Sequence, residues 1–196
     1  MKANKNYSSK DLLKQLQYFK KLSYFDELTG ILNRRGFLEY SQKFFEEAKN
    51  YQKFPNRRKN LIIKSLSLVI FDIDHFKKIN DEFGHQIGDK ILKEAVKIIK
   101  NEIRQIDVFA RWGGDEFVIC LVGAKEKDAV TIMNNLKEKI EKTEFKANNQ
   151  LIKITLSVGV AGLNKEDNFN ELFKKADKAL YQAKQNGRNK VVLYSA

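Results

Sequence analysis

The strongest constraint on the fold is the segment SLSLVIFDID, which runs from Ser65 to Asp74. Its β-branched and aromatic residues are typical of a strand, and it is too apolar for an edge position, so we expect a buried central strand. Two acidic residues, Asp72 and Asp74, lie at its end. Because a charged carboxylate is costly to bury, acids at the tips of central strands usually reach solvent or hold a cation.

Helices and strands are predicted to alternate around this segment. Leu12, Leu16 and Phe19 recur at helical spacing and predict an amphipathic helix over 9–25. Further helices are predicted over 35–49, 88–104, 127–143 and 170–186, and further strands over 107–110, 117–122, 152–161 and 190–194.

This order predicts an α/β (α+β) fold with a mainly antiparallel, five-stranded central sheet surrounded by helices. After residue 65 the elements read β-α-β-β-α-β-α-β. The first six match the split βαβ, ferredoxin-like arrangement, in which helices pack on one face of the sheet. The length of 196 residues suits one domain with a short appendage.

Composition narrows the functional classes. No apolar run approaches the roughly 20 residues that cross a bilayer, and the first ten residues are polar, so we expect a cytoplasmic chain with no membrane segment. Cys120 is the only cysteine and lies in an apolar stretch, which predicts a buried thiol. The net charge of +12 suits an anionic partner. A nucleic acid is not expected, since no recognised binding motif accompanies the short basic run at 57–59.

A second acidic pair, Asp115 and Glu116, directly follows Gly113-Gly114. The two glycines permit the positive φ angles of a tight hairpin turn between two strands. If these acids converge with Asp72, they form an oxygen-rich site suited to Mg²⁺, which can hold phosphates and activate a hydroxyl. The alternative is that they are merely polar turn residues, as Asp often is beside glycine.

The segment RWGGDEF, from Arg111 to Phe117, resembles the signature of the GGDEF family of diguanylate cyclases. Other blocks resemble that family in order and approximate spacing: DELTGILNRRGF from Asp26, FDIDHFKKINDEFGHQIGD from Phe71, RQID from Arg104, SVGVA from Ser157 and ALYQAKQNGRN from Ala179. Together they extend over most of the chain. The resemblance implies a nucleotidyl-cyclase, palm-like fold and the condensation of two GTP into cyclic di-GMP and two pyrophosphates. It also implies a linker or signalling helix over 1–25 and a catalytic domain over 26–196.

The resemblance also implies roles for particular residues. It implies two Mg²⁺ (or Mn²⁺) ions in each active site, held by Asp72, the backbone carbonyl of Ile73, Asp115 and Glu116. Asp115 and Glu116 are then the catalytic candidates for helping to deprotonate the attacking hydroxyl. It implies substrate contacts from Asn80 and Asp89 to the guanine edge, from Lys184 and Arg188 to the triphosphate, and from Phe76 and Lys77 in the loop after the metal-binding strand.

Chemistry agrees with these implied contacts. A carboxylate at Asp89 can accept from the N1 and N2 hydrogens of guanine, a donor pair that adenine lacks. Lys184 and Arg188 are four residues apart, so both can project toward one anion. The plainer interpretation of that pair is a solvated basic helix end, favoured by the helix dipole.

Arg104 and Asp107 fit the RxxD pattern that forms an inhibitory product site in the family. The arginine lies nine residues before Gly113, as the family pattern requires. A guanidinium can grip a phosphate or the Hoogsteen edge of guanine with two hydrogen bonds. The expected effector is therefore cyclic di-GMP itself.

The expected partners are GTP, the product as inhibitor, a second copy of the chain and an upstream sensor domain joined before Asp26. A homodimer is expected because one active site cannot close the ring alone. The alternatives are a catalytically silent GGDEF domain that senses GTP or cyclic di-GMP, and a cyclase of relaxed purine specificity. The two histidines, His75 and His85, are not spaced as a zinc pair with Cys120 and are expected to be structural or surface groups.

Overall fold

A computed structural model describes residues 12, 13, 15, 19, 22–55, 63–147, 150–164 and 168–195. The predicted helix over 9–25 falls largely outside these residues, and its described members at 12, 13, 15, 19 and 22–24 are helical. None of the described helices is long and apolar enough to cross a membrane.

Five helices and eight strands follow, counted among the described residues. The helices are α1 Arg34–Lys53, α2 Phe76–Phe83, α3 His85–Glu102, α4 Glu126–Lys142 and α5 Phe169–Gln185. The strands are β1 Leu32–Asn33, β2 Leu66–Ile73, β3 Val108–Gly113, β4 Glu116–Val122, β5 Phe145–Ala147, β6 Gln150–Ile152, β7 Leu156–Gly162 and β8 Val191–Leu193.

The main sheet has the strand order β1-β3-β4-β2-β7-β8. β2 lies near its centre, antiparallel to both β4 and β7, and every residue of β2 is buried. Only the flanking pairs, β1 with β3 and β7 with β8, are parallel. The predicted mainly antiparallel α+β fold is therefore confirmed, with six strands in place of five, because the two-residue β1 is too short to give a sequence pattern.

Helices cover both faces of the sheet, because the buried strands alternate their side chains between two cores. In β4, Phe117, Ile119 and Leu121 belong to the core beneath α3 and α4. Val118, Cys120 and Val122 belong to the core beneath α1 and α5. The ferredoxin-like unit thus accounts for one covered face, and the helices outside that unit cover the other.

Two local predictions were wrong. The single strand expected over 152–161 is interrupted: β5 and β6 form a separate small hairpin, and β7 begins only at Leu156. The segment after Asp74, expected to be a loop, forms the short helix α2, so Phe76 and Lys77 lie in its first turn. Segments of three and eight residues carry too few periods for the sequence pattern to identify.

Candidate active site

The ends of β2 and β4 bring the predicted acids to one edge of the sheet. Asp72 and Glu116 are register partners across these strands. The backbone N–H of Ile73 donates to the carbonyl of Asp115 over 3.4 Å. The antiparallel pairing therefore places the backbones of all three acidic residues side by side.

The residue Asp72 is only 9% exposed, and its carboxylate forms an ion pair with the ammonium of Lys184. Burial raises the pKa of Asp72 to about 6, although the hydrogen bond and charge of Lys184 act in the opposite direction. The neighbouring carboxylates of Asp115 and Asp74 also contribute to this rise in the pKa. This edge of the sheet therefore concentrates negative charge and attracts a cation.

The donor set fits a magnesium or manganese ion by its chemistry. Carboxylate and carbonyl oxygens are the ligands these hard cations prefer, and a lysine ammonium already occupies the contact with Asp72. Across the part of the chain that the structure describes, no three histidine, cysteine, aspartate or glutamate side chains are grouped closely enough to hold a metal. The side chains of Asp72, Asp115 and Glu116 therefore do not form a ready-made cluster of three metal-binding groups.

A cavity of about 530 Å³ opens beside this edge. It is lined by four predicted substrate residues and one predicted catalytic residue: Phe76, Lys77, Asn80, Asp89 and Asp115. Its volume lies within the range of small-molecule sites, roughly 300–1,000 Å³. Lys184, Arg188, Asp72 and Glu116 do not line it.

The cavity wall also contains residues that the sequence prediction did not assign to substrate: Asp81, His85, Leu92, Arg111 and Gly114. His85 begins α3 and is exposed, which agrees with a surface position but adds an imidazole to the cavity. Four of them, all except Leu92, lie in the motif blocks that begin at Phe71 and Arg111, but the sequence assigned them no contact with substrate. Only the folded chain places them on one cavity wall.

Close packing of α2 on α3 depends on Gly88. A Cβ at this position would lie 1.9 Å from Oδ1 of Asn80 and 3.2 Å from the ring of Phe76. Any side chain at Gly88 would therefore displace Asn80. The glycine lets the amide of Asn80 and the carboxylate of Asp89 share the cavity wall.

Arg111 connects the Gly113–Gly114 turn to Asp26, near the start of the sheet. Its Nε donates to the carbonyl of Gly114 over 2.7 Å, and its NH1 donates to both carboxylate oxygens of Asp26 over 3.2 Å. Burial alone would raise the pKa of Asp26, but hydrogen bonds from Thr29 and the charge of Arg111 hold that pKa below its usual value. Asp26 and Arg111 each begin a motif block in the sequence, but only the fold shows that the two residues are in contact.

A sequence profile described as "Diguanylate cyclase, GGDEF domain" matches residues 23–190. The chain belongs to the GGDEF family. This confirms the family predicted from the motifs.

Two curated relatives bear names of the same activity. The chain is 37% identical over 172 residues to diguanylate cyclase DosC of Escherichia coli K12. The aligned region covers 87% of this chain and 35% of that relative. It is 39% identical over 131 residues to diguanylate cyclase A of Treponema denticola. That aligned region covers 66% of this chain and 35% of the relative. The chain thus spans about a third of the length of these relatives.

A solved structure confirms the fold. The coiled coil and GGDEF domain of DgcB from Caulobacter crescentus, in complex with c-di-GMP, matches with a TM-score of 0.84 and 25% identity. The match covers 94% of this chain and 92% of that one.

At the open end of the β3–β4 hairpin, this GGDEF domain carries its RxxD residues. The side chain of Asp107 is 1% exposed, and its Oδ1 accepts from the backbone N–H of Val122 over 2.9 Å. Arg104 donates its backbone N–H to Oδ2 of Asp107 over 2.9 Å and an NH2 to the carbonyl of Val122 over 2.7 Å. The side chain of Arg104 is nonetheless 58% exposed. Asp107 therefore orients Arg104, and the arginine alone presents a substantial polar surface.

A cavity of about 820 Å³ borders Arg104. Its wall contains the cation of Lys100 and several apolar residues. The apolar residues come from the segment before α1, from α1 itself and from the segment before β3, and they include Phe25, Ile31, Tyr40, Phe44 and Ile106. This cavity lies at the end of the hairpin opposite to the Gly113–Gly114 turn, so the two predicted ligand sites of the GGDEF domain are separate.

Proposed function

We propose that this chain is the catalytic domain of a diguanylate cyclase, which condenses two GTP into cyclic di-GMP and two pyrophosphates. One observation carries the proposal: the acidic edge formed by Asp72, Asp115 and Glu116 adjoins a nucleotide-sized cavity that contains Asn80 and Asp89. The names of the curated relatives support the same activity.

In this proposal Asp89 accepts from N1 and N2 of guanine, and Asn80 pairs with the remaining edge of the base. Phe76 and Lys77 form the adjacent wall from the first turn of α2. Lys184 and Arg188 bind the triphosphate. The ammonium of Lys184, which contacts Asp72, must then donate to phosphate oxygens as well as to that carboxylate.

Asp72, the carbonyl of Ile73, Asp115 and Glu116 would hold Mg²⁺ or Mn²⁺, two ions in each active site. When bound, such ions neutralise phosphate charge and lower the pKa of a coordinated hydroxyl. Asp115 or Glu116 accepts the proton of the 3′-hydroxyl, and the surrounding cavity orients the base and sugar for attack on the α-phosphate.

Ring closure needs a two-fold pair of domains, each carrying one GTP. Each 3′-hydroxyl attacks the α-phosphate of the other nucleotide, and each pyrophosphate leaves. We propose that residues 26–196 form this catalytic unit, that 1–25 link it to an upstream sensor, and that the unit acts in the cytoplasm. Arg104, oriented by Asp107, would bind cyclic di-GMP as an inhibitor.

The test is incubation of the protein with Mg²⁺ and GTP, followed by chromatography of the products. Cyclic di-GMP with pyrophosphate is expected. Absence of turnover together with tight binding of GTP or cyclic di-GMP would favour the alternative, a catalytically silent sensor. Products that contain adenine in a mixture of ATP and GTP would indicate relaxed specificity.

A further inference from the structure

Asp74 is buried, yet it lies outside the set of residues assigned to metal or substrate. It is 6% exposed, and hydroxyl groups from the β7 side satisfy part of its carboxylate. Ser157 donates to Oδ1 over 2.6 Å, and Thr155 donates to Oδ2 over 2.7 Å. A third donor comes from a distant part of the chain: the backbone N–H of Asn189, 3.1 Å from Oδ2.

Asn189 belongs to a turn with unusual backbone geometry. Gly187, Arg188 and Asn189 have φ values of 97°, 60° and 48°. Glycine and asparagine tolerate this left-handed region, but arginine does so at an energetic cost. Such strain persists only where surrounding contacts hold the backbone in place.

The contacts that hold this turn come from both sides. Asp74 binds its backbone, and α4 binds the side chain of Asn189: Lys137 donates to Oδ1 over 3.1 Å, and Nδ2 donates to Glu141 over 2.8 Å. The preceding residue, Arg188, donates its backbone N–H to the carbonyl of Ala183 in α5. The backbone of Arg188 is therefore held on one side by the end of α5 and on the other by the contacts of Asn189.

We propose that Asp74 is a positioning residue that holds the Gly187–Asn189 turn and thereby aims Arg188 at the substrate triphosphate. The role rests on the proposed function, because it presumes that Arg188 binds GTP. Asp74 acts here as a hydrogen-bond acceptor, which distinguishes it from Asp72, whose partner is the cation of Lys184.

Two substitutions at Asp74 separate an acceptor role from a charge role. Asp74→Asn can place its amide oxygen at the position of Oδ2, where it accepts from Asn189, and its NH2 toward Ser157. Asp74→Ala removes the acceptor altogether. We expect Asp74→Ala to raise the KM for GTP by about tenfold with kcat within about threefold, and Asp74→Asn to stay within about threefold of wild type in both.

Arg188→Ala supplies the second comparison. If Asp74 acts through Arg188, Asp74→Ala adds less than about twofold to the KM of Arg188→Ala. Ser157→Ala is the matched control, because it removes a donor from Oδ1, the oxygen that does not contact Asn189; its KM stays at the wild-type value. Asn189→Gly keeps the left-handed backbone and its N–H to Asp74 and loses only the ties to α4, so its KM rises less than that of Asp74→Ala. If Asp74→Ala fails to fold, Asp74→Ser, whose hydroxyl is too short to reach Asn189, takes its place with the same expected rise in KM.

Amide hydrogen exchange at Asn189 tests the clamp without turnover. Exchange there should be at least about tenfold faster in Asp74→Ala and unchanged in Asp74→Asn. Equal damage by both substitutions, additive effects with Arg188→Ala, or unchanged exchange in Asp74→Ala would each overturn the proposal. Wild-type protein that makes no cyclic di-GMP would instead overturn the proposed function, while the exchange measurement would still decide the clamp.

Discussion

At the open end of the β3–β4 hairpin, Asp107 receives backbone N–H groups from Arg104 and Val122 as well as the guanidinium of Arg104. At the turn end, Asp115 and Glu116 lie beside the buried carboxylate of Asp72, whose close partner is a single ammonium. Donors fixed in the fold satisfy Asp107, whereas the charge of Asp115 raises the pKa of its neighbour Asp72. Fixed donors make a buried acid compatible with the fold, whereas neighbouring carboxylates repel one another and favour a cation nearby.

The largest expected effect is at the turn end. Asp115→Ala should reduce synthesis of cyclic di-GMP by more than about a hundredfold, because it removes a proposed metal ligand, while the free energy of unfolding stays near the wild-type value. Product chromatography and circular dichroism check the two halves of this prediction.

Asp177→Ala, which removes an exposed carboxylate from α5, is the matched control and should leave turnover unchanged. A folded Asp115→Ala protein with near-normal turnover would show that Asp115 holds no catalytic metal.

At the open end the same type of substitution should act on stability. Asp107→Ala leaves the N–H of Val122 without its acceptor, so the free energy of unfolding should fall by about 2 kcal/mol. Urea denaturation of Asp107→Ala and of the wild-type protein measures this change in the free energy of unfolding. If Asp107→Ala were as stable as Asp115→Ala, the contrast between the two ends would have no energetic basis.

Recognition of the guanine base gives a further contrast between the two ends of the hairpin, because the residues proposed for it line the cavity beside the turn end. Asp89→Ser removes the acceptor for N1 and N2 of guanine, and a hydrogen bond to a charged group contributes roughly 1.5–3 kcal/mol. The ratio of adenine-containing products to cyclic di-GMP should rise about 20-fold in an equimolar mixture of ATP and GTP. An unchanged ratio would mean that guanine is recognised by another residue.

The smallest expected effect concerns regulation. Arg104→Ala should leave turnover intact but raise the concentration of cyclic di-GMP needed for inhibition about tenfold, a coupling of about 1.4 kcal/mol. Progress curves with added product measure it, with the exposed Lys93→Ala of α3 as a control. Identical inhibition of wild type and Arg104→Ala would show that the open end binds no inhibitor.

Sequence patterns were sufficient for the long elements and for the motif residues. The apolar run of β2, the glycine turn before Asp115 and the helical stripe of α3 are local signals, and each appears where it was predicted. The short elements β1, β5, β6 and α2 were missed because their length gives too few repeats of any period.

By itself, the sequence determined the family, the central strand and the acids at its end, because these depend on residue types at short, regular spacing. Only the tertiary structure decided which groups those acids meet. Arg111 reaches Asp26 across 85 residues, and Asn189 reaches Asp74 across 115. Such contacts leave no local periodicity, because the sheet and its covering helices bring the partners together only when the chain is folded.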